Sequence, residues 1–163
     1  PNAGHTALAR LEARVPAMTL VTQNVDGLHQ RAGSRNVLEL HGSLWRLRCI
    51  ACGAEGPDRR APLPELPPRC QDCGGLLRPA VVWFGEMLPG AALEDAGAAC
   101  ERAEVVLVAG TSAVVEPAAS LPLLGKERGA RLIEVNPEET PRSGEADMSL
   151  RGTSAELLPR LIP

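Results

Sequence analysis

The chain has 163 residues, is 44% hydrophobic and carries a formal net charge of −3 at pH 7, so it can bury one sizeable core with a small satellite. An acidic balance with only three aromatic residues (Trp45, Trp83 and Phe84) argues against nucleic acid or an anionic membrane surface as partner. No apolar run reaches the roughly 18 residues that a membrane span needs, and no basic-then-apolar leader stands at the start, so a cytoplasmic protein is expected.

The opening residues, Pro1-Asn2, include no methionine and lead straight into a helical pattern, so they read as a helix entry within a longer protein. Residues 3–14 read as that helix, with Ala7, Leu8 and Leu11 on one face and Pro16 closing it. A short apolar strand at 18–22 then stops in Gln23, Asn24 and Asp26. In open parallel α/β sheets the carboxyl ends of strands are where ligands bind, and these side chains suit a ligand rich in amides and hydroxyls. A short helix through 28–31 ends at Gly33, and 37–41 reads as another strand. It finishes at His41, fifteen residues beyond Asp26, whose side-chain type suits proton transfer near neutrality. On spacing alone, a capped strand-to-helix turn and a hydrogen-bonded histidine account for the same residues.

From Leu44 to Pro79 hydrophobic periodicity disappears and cysteine, proline, glycine and arginine dominate, a composition that needs a staple to order itself. Cys49-Ile-Ala-Cys52 and Cys70-Gln-Asp-Cys73 supply one, as two C-x2-C pairs with a 17-residue spacer. Two intervening residues let both thiolates of a pair reach one ion, and two pairs complete a tetrahedron around Zn2+. Gly53 and Gly74 follow the pairs and allow the tight backbone that turns amides towards sulfur. Disulfides are the competing reading, which a reducing cytoplasm disfavours. Four thiolates leave no open position, so the expected ion on Cys49, Cys52, Cys70 and Cys73 is structural. Cys100 lies apart on a helical pattern and reads as a small buried apolar residue.

Beyond the cysteines, 80–86 restores an apolar strand, 91–102 makes an amphipathic helix, and 104–110 is a near-continuous apolar strand of the sort buried on both faces. A helix at 117–128 leads to a strand at 131–135, and a last helix begins near Ser154, with Thr153 or Ser154 as N-cap. Strands alternating with helices predict an α/β fold: a Rossmann-like parallel sheet with helices on both faces, formed by 1–43 and 80–163, with a zinc-ribbon module inserted at 44–79. Gly110-Thr111-Ser112 at one strand exit suits the close approach of a phosphate or ribose. Asn136-Pro137-Glu138 ends the next strand, where either Asn136 or Glu138 would take ribose hydroxyls. Taken singly, each motif is better explained as an ordinary turn with a helix cap.

In combination and in this order, Thr22-Gln-Asn-Val-Asp-Gly-Leu-His29, Leu40-His-Gly42, the two cysteine pairs, Arg78-Pro-Ala-Val-Val-Trp-Phe-Gly-Glu86, Gly110-Thr-Ser112 and Val115-Glu-Pro-Ala-Ala119 resemble the sirtuins, over the whole chain. Sirtuins are NAD-dependent protein lysine deacylases, and Trp83 before Phe-Gly-Glu is similar to their bacterial and mitochondrial branch, which includes desuccinylases. The resemblance implies NAD beside the structural zinc, acyl-lysine proteins as substrates, a monomer, and release of nicotinamide and O-acyl-ADP-ribose. His41 would be the catalytic base, since a neutral imidazole at pH 7 can take a ribose hydroxyl proton for which an aspartate is too weak. Asn24 would position ribose or water, and Asp26 would accept from the carboxamide amine. Gln23, Asn24, Val25 and Asp26 would thus form the nicotinamide side of the cofactor site. Gly110, Thr111, Ser112, Asn136, Pro137 and Glu138 would hold phosphates and adenosine, with Ser154 near adenine.

The substrate would add a strand between Phe84-Gly85-Glu86 and Val115-Glu116-Pro117, with the Val82 carbonyl on the acyl-lysine amide and Phe84 walling the acyl tunnel. Sirtuins carry, upstream of the position of Pro1, a first strand with a Gly-Ala-Gly-x-Ser loop, and the Tyr and Arg that read acidic acyl groups. None of these is in the chain, so deacetylase and desuccinylase both stay open. The competing readings are a non-catalytic, zinc-stabilised module for NAD or ADP-ribose, and a zinc ribbon that serves protein interaction alone.

Overall fold

Asn2 begins the first element: its side chain accepts from the His5 amide at 3.2 Å while its own amide donates to the His5 ring, a capping box that starts helix α1 (Ala3–Glu12). The computed structural model describes residues 1–162. Strand β1 (Leu20–Thr22) follows, then helix α2 (Leu28–Ala32), closed by Gly33 in the left-handed conformation, and strand β2 (Val37–Glu39). The expected strand at 37–41 therefore stops two residues before His41. β1 and β2 pair in parallel, Leu20 opposite Val37.

The chain next builds an antiparallel sheet from β3 (Gly42–Cys49), β4 (Glu55–Pro57) and β5 (Leu77–Val81), with β3 in the centre. No periodicity was expected in this stretch, yet β3 alternates: Leu47 and Cys49 turn inward while Arg46 and Arg48 lie outward on Glu55. β5 ends at Val81, short of the strand expected at 80–86. Residues 83–86 instead close a turn, in which the Glu86 amide donates to the Trp83 carbonyl at 2.9 Å.

Helix α3 (Gly90–Glu101) leads into β6 (Val105–Ala109), and a 3-10 turn at Ala118–Ser120 leads into helix α4 (Leu121–Glu127). Strands β7 (Arg131–Asn136) and β8 (Met148–Arg151) precede helix α5 (Ser154–Leu161). Thr153 caps α5 in a second capping box with Glu156, and β8 is an element that the apolar pattern did not announce. β6, β7 and β8 form a second parallel sheet in that order.

Helices cover both sides. α1 and α5 press Ala7, Leu158 and Ile162 onto Val135, with Leu8 and Leu11 packed around them. α3 and α4 bury Ala96 and Leu121 against Leu40 and Ala118, and Cys100 joins that second cluster as a partly buried residue. Gly4 permits the close crossing of α1 and α5, since a side chain there would begin 2.7 Å from the Ser154 carbonyl oxygen. β6 departs from its expectation: Val105 is 55% exposed and the rest of the strand only half-buried. The reason is pairing, because among the described residues β6 has a strand neighbour on one side alone, and so does β1. Among the described residues no helix is long and apolar enough to cross a membrane.

Candidate active site and metal centre

The loop after β1 is pinned at nearly every residue. The Thr22 hydroxyl accepts from the Asn24 amide at 3.1 Å, the Val25 carbonyl accepts from the Leu44 amide at 2.9 Å, and the Asp26 carboxylate accepts from the Leu28 amide at 2.9 Å. Trp45 donates its indole N–H to the Asp26 carbonyl at 2.6 Å and packs against Gly27, where any side chain would begin 2.7 Å from the indole ring. Gly27 also sits at φ +69°, so glycine is required there twice over. The sequence offered Trp45 only as one of three aromatics; its role shows in the fold alone.

His41 stands beside this loop. Its Nδ1 lies 2.9 Å from the Gln23 carbonyl oxygen. A carbonyl can only accept, so Nδ1 carries the proton and Nε2 keeps the lone pair, free to take a proton from a ligand. Among the described residues no group bonds to Nε2. The backbone beyond is held as well: the His41 carbonyl accepts from the Val82 amide at 2.9 Å, and Gly42, at φ +75°, pairs with Val81. A side chain at Gly42 would begin 2.0 Å from the Ala80 carbonyl oxygen, so glycine is what lets β5 close on the histidine.

Three strand exits meet next to this histidine. The Gln23 amide reaches the Thr111 hydroxyl at 3.4 Å, joining the end of β1 to the end of β6. The buried Asn136 side chain donates to the Thr111 carbonyl at 2.6 Å, joining β6 to β7, and accepts weakly from the Glu138 amide at 3.5 Å. Ser154 Oγ lies 3.5 Å from where a side chain at Gly110 would start, which brings the head of α5 to the same place. Ser112 and Pro137 follow Thr111 and Asn136 in these loops. A row of carboxyl-end loops carrying amides, hydroxyls and a glycine is suited to a polar ligand with phosphates and ribose hydroxyls.

The expected substrate residues lie in two loops outside the strands. Arg78 donates to the Val81 carbonyl at 3.2 Å and to the Glu86 carboxylate at 2.8 Å, and that carboxylate accepts from the Trp83 amide at 3.1 Å. The Trp83 amide, with Arg78 beside it, holds the Glu86 carboxyl below its usual range. Glu86 is thus committed to shaping its turn, Gly85 occupies φ +89°, and Phe84 projects fully into solvent. In the other loop Val115 is 39% exposed and its carbonyl accepts from the Ala119 amide at 2.9 Å, while Glu116 pairs with Arg142 at 3.0 Å and joins Pro117 through a cis peptide bond.

The four cysteines converge at the far end of β3 and β5. Their sulfur atoms all lie within 4.8 Å of one another, with Cys49–Cys73 at 3.5 Å and Cys52–Cys70 at 3.8 Å. Four sulfurs at the usual Zn–S length of about 2.3 Å stand about 3.8 Å apart in a tetrahedron, so the set fits Zn2+. Gly53 and Gly74 take φ +76° and +72°, and the Ala51 and Gly75 amides each point at sulfur from 3.4 Å. Gly75 matters too, since a side chain there would begin 3.1 Å from the Cys49 sulfur. Backbone amides at Cys52 and Ala51 hold the Cys49 thiol down at about 6. Cys73 is drawn down by the Gly75 amide, yet sharing protons with Cys52 and Cys49 pushes it up to about 12. Four thiols so close resist ionising together, and a divalent cation relieves that crowding by holding all four as thiolates.

The Sir2 family profile matches residues 1–117. The chain belongs to the Sir2 family. It is 57% identical to an NAD-dependent protein deacylase of Aquifex aeolicus, over 93% of this chain and 63% of that protein. It is 55% identical to NAD-dependent protein deacylase 1 of Archaeoglobus fulgidus, over 99% of this chain and 66% of that protein. The chain thus spans just under two thirds of the length of these curated relatives. Among solved structures, a Sir2 homologue in complex with NAD superposes with a TM-score of 0.95 at 54% identity, over 99% of this chain and 63% of that one. The Rossmann-like parallel sheets carry the loops after β1, β6 and β7, and the four cysteines are clustered as a zinc-binding site.

Proposed function

We propose that the natural protein containing this chain is a cytoplasmic, monomeric, NAD-dependent protein lysine deacylase. Residues 1–43 and 80–163 would make up its nucleotide-binding part and 44–79 its zinc module. The observation that carries the reading is the 2.9 Å contact of His41 Nδ1 with the Gln23 carbonyl, which leaves Nε2 to act as base, beside three converging strand exits. The relatives, NAD-dependent protein deacylases and a Sir2 homologue in complex with NAD, support the same reading. So does a neighbour described as a Sir2–p53 peptide–NAD+ complex, with a TM-score of 0.89.

Bound NAD would supply the ribose carbon that accepts the acyl oxygen, with nicotinamide as leaving group. Gln23, Asn24, Val25 and Asp26 hold and orient the nicotinamide side, with Asn24 on ribose or water and the free oxygen of Asp26 towards the carboxamide. His41 Nε2 takes the proton of a ribose hydroxyl, and the Gln23 carbonyl stabilises the imidazolium that forms, since Nδ1–H already points at it. Gly110, Thr111, Ser112, Asn136, Pro137, Glu138 and Ser154 hold the phosphates and adenosine. The acyl-lysine peptide lies between Val82, Phe84, Gly85, Glu86 and Val115, Pro117, where Phe84 stands free in solvent to fold over it. Cys49, Cys52, Cys70 and Cys73 would hold Zn2+ as a structural clamp on the module, with no part in the chemistry.

Incubating the full-length protein with NAD and either an acetyl-lysine or a succinyl-lysine peptide tests this. Nicotinamide and deacylated peptide are expected in equal amounts, with one acyl group preferred. ADP-ribose binding without nicotinamide release would replace the enzyme with a binding module, and no binding at all would overturn the nucleotide site.

A further inference from the structure

Glu134 is a buried carboxylate in the middle of β7, 5% exposed, and nothing in the proposed chemistry uses it. It collects four donor groups. Thr140 Oγ1 donates at 2.8 Å, Ser143 Oγ at 2.7 and 2.9 Å, Ser149 Oγ at 3.2 Å and Arg151 Nη1 at 2.7 Å. Burial alone would raise its pKa, yet the Ser143 hydroxyl and the Arg151 guanidinium outweigh that and hold it below the usual carboxylate range. An ionised acceptor suits the proton count. Ser143 Oγ accepts from the Thr140 amide at 2.8 Å and from Arg151 Nη2 at 3.1 Å, so its single proton is left for Glu134. Thr140 Oγ1 accepts from the Arg142 amide at 3.2 Å and likewise gives its proton to Glu134.

Thr140 and Ser143 belong to the loop from 137 to 147 between β7 and β8, and Arg151, on β8, ties to the same loop through Ser143. At one end Arg151 Nη1 also donates to the Glu138 carbonyl at 3.1 Å, next to the Asn136 side chain that holds Thr111. Midway along the loop Arg142 Nη2 bonds to Glu116 at 3.0 Å and to the Ser120 hydroxyl at 3.3 Å, reaching the loop that carries Val115 and Pro117. We propose that Glu134 is a positioning residue that locks this loop into the shape in which Glu138 faces the adenosine end of the dinucleotide site and Arg142 braces the peptide-side loop. The inference rests on the NAD reading above and adds to it a residue behind the site that touches neither ligand.

The test uses the full-length protein, with ADP-ribose affinity by calorimetry, KM for NAD and for acyl-lysine peptide, kcat and Tm. Glu134→Gln keeps the shape but places an amide that must donate among groups that also donate. It is expected to weaken ADP-ribose roughly tenfold and raise KM for NAD to match, with kcat at saturating NAD changed by no more than about twofold. KM for the peptide should rise about threefold through the half-exposed Arg142–Glu116 pair. Ser143→Ala removes one donor at an accessible position and should show the same pattern at about threefold, which decides the matter if Glu134→Gln does not fold. Glu134→Asp, which keeps the charge, should recover part of the affinity. Both variants binding ADP-ribose like wild type while Tm falls would overturn the proposal and leave Glu134 a structural residue. Wild-type protein that binds no ADP-ribose would overturn the NAD reading itself, and this inference with it.

Discussion

The cysteine module and the strand-exit site solve opposite problems. In the module, ligands two residues apart are brought together by local backbone, with Gly53 and Gly74 at positive φ and amides from Ala51 and Gly75 aimed at sulfur. In the strand-exit site the partners are far apart in sequence, Gln23 to Thr111 and Thr111 to Asn136, and the fold alone brings them together. A local site draws its stability from the metal, because its segment buries little apolar surface: Ile50 and Leu66 are exposed. A distributed site draws its geometry from the two helix layers that press on β7 and on Leu40. The first should fail when one atom is removed, and the second should degrade by steps.

Removing the metal is the largest perturbation that this comparison predicts. Structural zinc contributes on the order of 10 kcal/mol to small metal-folded units. Cys70→Ser or a strong chelator should release one zinc per chain and unfold 44–79, read as lost hydrogen-exchange protection at Leu47 and Cys49. Protection at Val135 should persist, and simultaneous loss in both regions would show that the two are one cooperative unit. Gly42→Ala comes next, since it joins the regions: it combines a left-handed backbone with a 2.0 Å approach to the Ala80 carbonyl. About 3 kcal/mol of stability should be lost in urea titration, with β5 displaced from His41.

Asn136→Ala should act by a smaller step, leaving the Thr111 carbonyl without its donor and costing roughly 1–3 kcal/mol, seen as weaker ADP-ribose binding with the zinc content unchanged. The smallest effect concerns pH. His29 is held below its usual 6.5 by burial, with Nδ1 buried and unpartnered and the His5 ring 4.7 Å away. The unfolded chain therefore binds more protons than the native one below 6.5, so stability is full above that value and falls as pH drops towards the native one. Burial lowers His5 as well, in the same direction. A Tm series should decline below pH 6.5 in wild type and more gently in His29→Gln.

What could be read from the chain divides along the same line. The knuckles, the capped α1 and the Gly33 stop on α2 were legible because each depends on residues a few positions apart. The polar loop after β1 was legible because an apolar strand ending in Gln23, Asn24 and Asp26 is itself a local signal. The turn at 83–86 was not, since Val81-Val82-Trp83-Phe84 has a strand's composition, and it is the Glu86 carboxylate, held by Arg78 and the Trp83 amide, that folds it back. Half-exposed β6 looked like a fully buried strand because apolar content does not reveal how many neighbours a strand has. Trp45 and Glu134 were passed over because their partners, Gly27 and Asp26 for one and Thr140 to Arg151 for the other, come close only in the fold.

The proposed chemistry turns on His41 as a base, with Nε2 left free because Nδ1 faces the Gln23 carbonyl. In the full-length protein, His41→Ala is expected to lower NAD-dependent deacylation by about a hundredfold or more while ADP-ribose still binds, because the base is lost and the strand exits are not. Deacylation at the wild-type rate in that variant would contradict it.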